Sequence, residues 1–261
     1  LGRIQAIGRN PADAAELVPR VPEVIPQLLR SLRDEDVSAA DLARQVAQDV
    51  LVMAEVIREA NSAYYRPMTP VKTIEAAIMM LGQNGLRMLL ARIAFRPAIK
   101  MQPEGFARRA APHIWSQSEK SALAASLLAP GLRVGVFESY LAGLMQNVGV
   151  IVGFRLADGI CPDGRVPISG EFGVDMLAHS RQLSACIAMH WDFPQEVIEA
   201  IAQAGQPGQS TLAQALAHGD RIAKLRMLID GGVLAEDDTL VTGSLDNFER
   251  RCLGKLRSLD I

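Results

Sequence analysis

The four histidines and three cysteines carry the most versatile chemistry in this chain, and their spacing argues against most of it. A hydrolytic metal centre needs several imidazole or carboxylate ligands converging on one ion. His179 and His190 return nearly to the same helix face, but the helical rise separates them by roughly 16 Å. His113 follows Pro112 in what reads as a first helical turn, which suits a neutral ring. His218 stands alone, and all four read as structural. Cys161, Cys186 and Cys252 are odd in number and far apart, giving neither a disulfide framework nor a zinc spacing. They read as reduced thiols in a cytoplasmic protein. The chain holds no G-x-S-x-G elbow, no P-loop and no G-x-G-x-x-G turn. The acid pairs Glu35-Asp36 and Asp237-Asp238 lack supporting histidines and read as caps and solvated charge.

Two constellations remain. The first is Ala60-Asn61-Ser62-Ala63-Tyr64-Tyr65, at the end of a helix whose apolar positions include Met53 and Ile57. Asparagine tolerates the left-handed conformation that ends helices, its amide can serve loose carbonyls, and serine bonds nearby backbone. A well-made helix junction is the favoured reading; a polar recognition corner of Asn61, Ser62 and Tyr64 is the alternative. The second is a charge asymmetry. Arg87 to Arg109 holds six basic residues and one acid, whereas Asp230 to Glu249 holds six acids and no Lys or Arg. Two solvated faces are favoured; an anion or partner patch at Arg87, Arg92, Arg96 and Lys100 is the sharper alternative.

The elements that must position these residues are helices. Phe137, Tyr140, Leu141, Leu144, Met145, Val148, Ile151 and Val152 form one apolar stripe of helical period. Gly143, Gly149 and Gly153 in the same stretch imply that another element packs very close. Pro22 and Pro26 open a first helix through about Asp34. Ser38, Asp49 and Thr73 are candidate caps for the next three, ending near Ala47, Asn61 and Gly82. Further helices are expected at about 84–95, 112–128, 137–156, 174–191, 194–204, 211–230 and 245–259. No segment reads as a hairpin strand. The class is therefore all-α. A lead segment covers 1–20, an N-terminal helical subdomain opens the main domain of 21–205, and a C-terminal helical appendix covers 206–261.

With 261 residues, 49% of them apolar, a sizeable core is available. A net charge of -2 gives no general pull toward nucleic acid or an anionic membrane. The most apolar span, Leu141 to Phe154, is too short to cross a bilayer. The first ten residues lack the apolar run of a signal peptide. The chain opens at Leu1 without an initiator Met, as a processed or excised piece of a longer chain would.

From Asp49 through Leu51 to Ile57 and Ala60-Asn61-Ser62-Ala63, the sequence resembles the signature helix of the HD-related output domain (HDOD) family. Thr73-Ile74, Ala77-Ile78, Leu81-Gly82 and Leu86 match that family's next helix pair. Trp115, Ala142-Gly143-Leu144, Gly149, and Trp191 with Pro194 follow in the family's order, over roughly Val21 to Gly205. The resemblance implies a multi-helix HD-like bundle, related to metal-dependent phosphohydrolases, in a bacterial signalling protein. At the positions where those hydrolases carry ligands, this chain has Gln117, Gln146-Asn147, Ser180 beside His179, and Ala204-Gly205. Neutral amides bind transition metals poorly. The expectation is a non-enzymatic domain without cofactor, with a vestigial pocket of Gln117, Gln146, Asn147, Ser180 and His179. That pocket is either a polar plug or a repurposed ligand site. The expected function is binding a protein partner in a signalling pathway. The alternative is a sensor of an anionic nucleotide or cyclic dinucleotide. A residual phosphohydrolase ranks last, and would need Asp175 and His179 to face the pocket together.

Overall fold

The computed structural model describes residues 2, 38–47, 50–62, 65, 67–100, 102, 104–161 and 169–259. Among them every regular element is a helix, as the periodicity predicts. They fall into two compact units, one ending at Phe95 and one spanning Arg96–Arg257.

The first unit contains α1 (Ala39–Val46), α2 (Val50–Ala60) and most of α3 (Ile74–Lys100). The Ser38 hydroxyl accepts from the Asp41 amide at 3.1 Å and Thr73 Oγ1 from the Ala76 amide at 3.2 Å, so both expected caps form. Gly82 (φ 67°, ψ 174°) interrupts α3 in a conformation that L side chains rarely adopt, which places the break between the two expected helices. Val46, Val56, Ala60, Ile78, Leu86, Leu90 and Phe95 are buried in this unit. The expected first helix, the Asp49 cap and Tyr64 lie outside the described residues.

The second unit is built around α4 (Gly105–Leu132), which packs on α9 (Thr211–Asp230), α5 (Val136–Met145) and α6 (Val148–Ile160). α7 (Gly170–His190) and α8 (Gln195–Gln203) pack on one another and on α6 and α5 respectively. α10 (Thr239–Thr242), α11 (Asn247–Lys255) and the start of a 3-10 turn (Leu256–Leu259) complete it.

Three expectations need correction. α4 starts at Gly105, not near Pro112. The Asp158 carboxylate, on α6, accepts from the amides of Phe106 at 2.6 Å and Ala107 at 3.1 Å, a cap from 52 and 51 residues away. Pro112 lies on the exposed face of α4, where water can serve what its missing amide leaves open. The continuous helix expected at 137–156 breaks at Gln146-Asn147 into α5 and α6. The last helix starts at Asn247 behind an Asp246–Glu249 capping box, not at Leu245.

The glycine expectation holds at Gly143 and Gly149. A Cβ on Gly143 would sit 2.5 Å from Ala122 Cα of α4, and one on Gly149 2.0 Å from the Ser180 carbonyl oxygen of α7. α9 approaches α4 as closely: a Cβ on Gly219 would lie 2.7 Å from the Ala125 amide nitrogen. The small residues of α4 thus let two helices reach its backbone. Val136–Ile160 is apolar enough by composition to span a bilayer, but 78% of its apolar 18-residue window is buried, within the broken core helices α5 and α6.

Candidate functional site: a buried amide–carboxylate cluster

Ser121 lies one turn beyond both Gln117 and Ser118 on α4, four and three residues on, so it neighbours each. The break between α5 and α6 brings Gln146 and Asn147 to that part of α4, where both are buried. The Gln146 side-chain amide donates to Ser121 Oγ at 2.5 Å, and Asn147 Nδ2 donates to Ser118 Oγ at 3.2 Å. The Gln146 main-chain carbonyl accepts from Ser184 Oγ of α7 at 2.7 Å, and Ser184 Oγ accepts from the Gly149 amide at 2.9 Å. α4, α6 and α7 are stitched together through buried polar groups that satisfy one another.

The centre of this arrangement is Asp220 on α9, 6% exposed. Its Oδ1 accepts from Gln117 Nε2 at 2.9 Å and from Gln146 Nε2 at 3.4 Å. Its Oδ2 accepts from Lys224 Nζ, one turn later on α9, at 2.6 Å. Among the described residues, the groups bonded to the carboxylate all present hydrogens. An ion would need lone pairs there. Among the described residues, no three His, Cys, Asp or Glu side chains gather closely enough to hold a metal ion. A divalent cation of the kind used by metal-dependent hydrolases therefore does not fit this donor set.

Two of the five residues expected in a vestigial pocket, Gln117 and Gln146, meet at Asp220. Asn147 flanks them. Ser180 is fully buried, with its Oγ lacking a hydrogen-bond partner among the described residues, while its main-chain carbonyl lies 3.0 Å from Ser184 Oγ. At Nδ1 the His179 ring faces its own helix, 2.8 Å from the Asp175 carbonyl. Asp175 is exposed, so the arrangement in which Asp175 and His179 face a shared pocket does not form.

Asn61 is a junction. Its Nδ2 donates to the carbonyls of Ile57 and Val71, and its Oδ1 accepts from the Val71 amide, all at 2.8 Å. It closes the loop from α2 toward α3 as a strand partner would. Ser62 Oγ is buried and lacks a hydrogen-bond partner among the described residues. The expected basic patch is not uniform. Arg87 is buried, Arg92 is ion-paired with Glu59, and Arg96 and Lys100 are exposed.

Residues 18–207 match the HDOD domain model. This chain belongs to the HDOD domain family. The span agrees with the resemblance carried by the Asn61 corner and the helix pair after it. Solved structures similar to this HDOD chain include an HDOD domain protein of unknown function from Geobacter sulfurreducens (21% identical, TM-score 0.69, covering 98% of this chain and 94% of that one). A candidate signal transduction protein from Marinobacter aquaeolei VT8 is 21% identical with a TM-score of 0.67, covering 97% of this chain and 63% of that one. A candidate metal-dependent phosphohydrolase from Shewanella amazonensis SB2B is 19% identical with a TM-score of 0.66, covering 98% and 97%. At these identities the likeness is one of fold. An uncharacterized protein of Treponema pallidum (strain Nichols) is 22% identical over 200 residues, 73% of this chain but 38% of that protein. The HDOD chain thus spans well under half the length of that curated relative.

Asp220 is the functional candidate that sequence reasoning missed. The only signal was an acid in the middle of an otherwise core-forming helix, with a lysine four residues on.

Proposed function

We propose that this HDOD chain is a non-catalytic regulatory module of a bacterial signalling pathway, acting by binding another protein. The observation that carries the reading is the saturation of Asp220 by two amide donors and an ammonium, which leaves no lone-pair set for a catalytic ion. The fold shared with the candidate signal transduction protein of Marinobacter supports the signalling side. The thiols Cys161, Cys186 and Cys252, spaced for neither a disulfide framework nor a zinc site, support a reducing, cytoplasmic setting. The exposed end of α3, with Arg96 and Lys100, is the proposed contact for an acidic partner surface. The burial of Arg87 and the engagement of Arg92 by Glu59 weigh against an anionic nucleotide at the same stretch.

The test pairs an activity panel with a binding measurement. Phosphodiester and phosphomonoester substrates with added Mn²⁺ are expected to turn over no faster than in buffer. A purified partner, once found by affinity capture, is expected to lose about tenfold or more in affinity for Arg96→Glu/Lys100→Glu. Metal-dependent turnover that vanishes in Asp220→Ala would contradict the non-catalytic reading. A partner indifferent to the charge reversal would contradict the basic contact.

A further inference from the structure

We infer that Lys224 serves as a built-in replacement for a metal ion: its ammonium is the counter-charge of Asp220 and closes the cluster to divalent cations. The inference rests on the non-catalytic reading and deepens it by naming the group that blocks the site.

A buried carboxylate needs a cation or a set of strong donors. Asp220 has both, arranged by oxygen. The amide donors of Gln117 and Gln146 share Oδ1, while Oδ2 takes the ammonium of Lys224 at 2.6 Å. The four-residue spacing places Lys224 above Asp220 on α9, so one helix builds the pair without help from the rest of the fold. Asp220 has 9% of its side chain exposed and Lys224 45%, so the lysine reaches from the surface onto an interior charge. A solvated surface pair would have both partners in water and would matter little.

The chemistry also explains why the amides alone would not exclude an ion. Gln117 and Gln146 could in principle turn their carbonyl oxygens toward a cation, since an amide carries both donor and acceptor. The ammonium cannot: it has three donors and no acceptor. A divalent ion approaching Oδ2 would meet a positive charge and an occupied lone-pair direction. Removing the two glutamines is thus insufficient to create a metal site while Lys224 remains.

The experiment compares four purified proteins: wild type, Lys224→Met, Gln117→His/Gln146→His, and that pair combined with Lys224→Met. Isothermal titration with MnCl₂ and with ZnCl₂, backed by elemental analysis after gel filtration, reads the bound ion. One ion per chain is expected only in the triple variant. Equal uptake by the pair that keeps Lys224 would overturn the inference, as would a folded triple variant that takes up none. Thermal midpoints of Asp220→Asn, Lys224→Met and their double variant keep the question open to refutation if the triple variant does not fold. Each single change should lower the midpoint by more than its share of the double, because each strands the other partner. Additive losses would overturn the inference. Wild type that binds an ion and turns over substrate sinks the non-catalytic reading itself. Wild type without ion, but with uptake by the variant that keeps Lys224, sinks only the role of Lys224.

Discussion

Asparagine 61 and aspartate 246 show how single polar side chains hold this fold in place. Asn61 joins α2 to Val71 with a donor and an acceptor, a pairing that only a primary amide can offer on both sides. Asn61→Ala should cost about 1–3 kcal/mol in urea unfolding, because the Val71 groups lose their partners; Asn61→Asp should recover part of that, through the retained acceptor. The Glu249 amide, with the Phe248 amide, donates to Asp246 and holds its carboxyl below the ordinary 3.8. A depressed carboxyl contributes stability that is present above its ordinary value and lost as the pH falls through the lowered one. Asp246→Asn should therefore flatten the acid limb of a stability–pH curve while keeping a competent cap at neutral pH. An acid limb of unchanged slope would show that the cap is not what titrates. At this scale the sequence was partly legible. The Asn61 junction could be read because its function is local. The Gln117 and Gln146 positions could be read only through family resemblance. Asp220 was hidden because its burial comes from partners 103 and 74 residues away, and nothing local separates it from a solvated acid.

Helices α5 and α9 approach α4, and α6 approaches α7, through small residues, and that closeness sets what they tolerate. Gly143→Ala would drive a methyl group into the α4 backbone at Ala122, where no side chain can swing aside. Gly149→Ala meets the Ser180 carbonyl in the same way. Each should cost about 1–3 kcal/mol or more by overpacking, read as a fall in thermal midpoint. Gly254→Ala, with nothing near its Cβ, should be neutral or slightly stabilising and serves as the control. Asp158→Ala should cost about 0.5–2 kcal/mol through loss of the α4 cap, and hydrogen exchange should quicken first at Phe106 and Ala107. Protection at those amides that survives the change would contradict the cap. Helix type and order were readable from periodicity and punctuation: Ser38, Thr73 and Gly82 mark their ends by their own chemistry. The start of α4 was not, because its cap comes from α6, and Pro112 looked like a beginning when it is an exposed interior residue. The break between α5 and α6 was masked by an apolar stripe that keeps its period across Gln146-Asn147.

On the scale of the unit spanning Arg96–Arg257, the chain closes through a run of charges along its C-terminal helices. Arg226 of α9 is buried and bonded to Asp230 and Glu236; Glu236 is also paired with Arg257, and Lys120 of α4 is buried with its ammonium 3.9 Å from Asp230. Arg226→Met should destabilise this unit, because Asp230 and Glu236 lose a shared cation, and the loss should shrink in high salt where exposed partners are screened. A salt-independent loss would place the effect in packing instead. These charges tie the residues after the matched family region to α4, and Asp220 does the same from inside. The proposed non-catalytic role rests on the cluster of Gln117, Gln146, Asp220 and Lys224. Its most direct test is the metal content of the untagged wild-type protein, purified without chelators and measured by elemental mass spectrometry alongside a phosphodiester assay. Far less than one ion per chain and no turnover above buffer are expected. One or two equivalents of manganese, iron or zinc, with hydrolysis that follows the metal, would contradict that role.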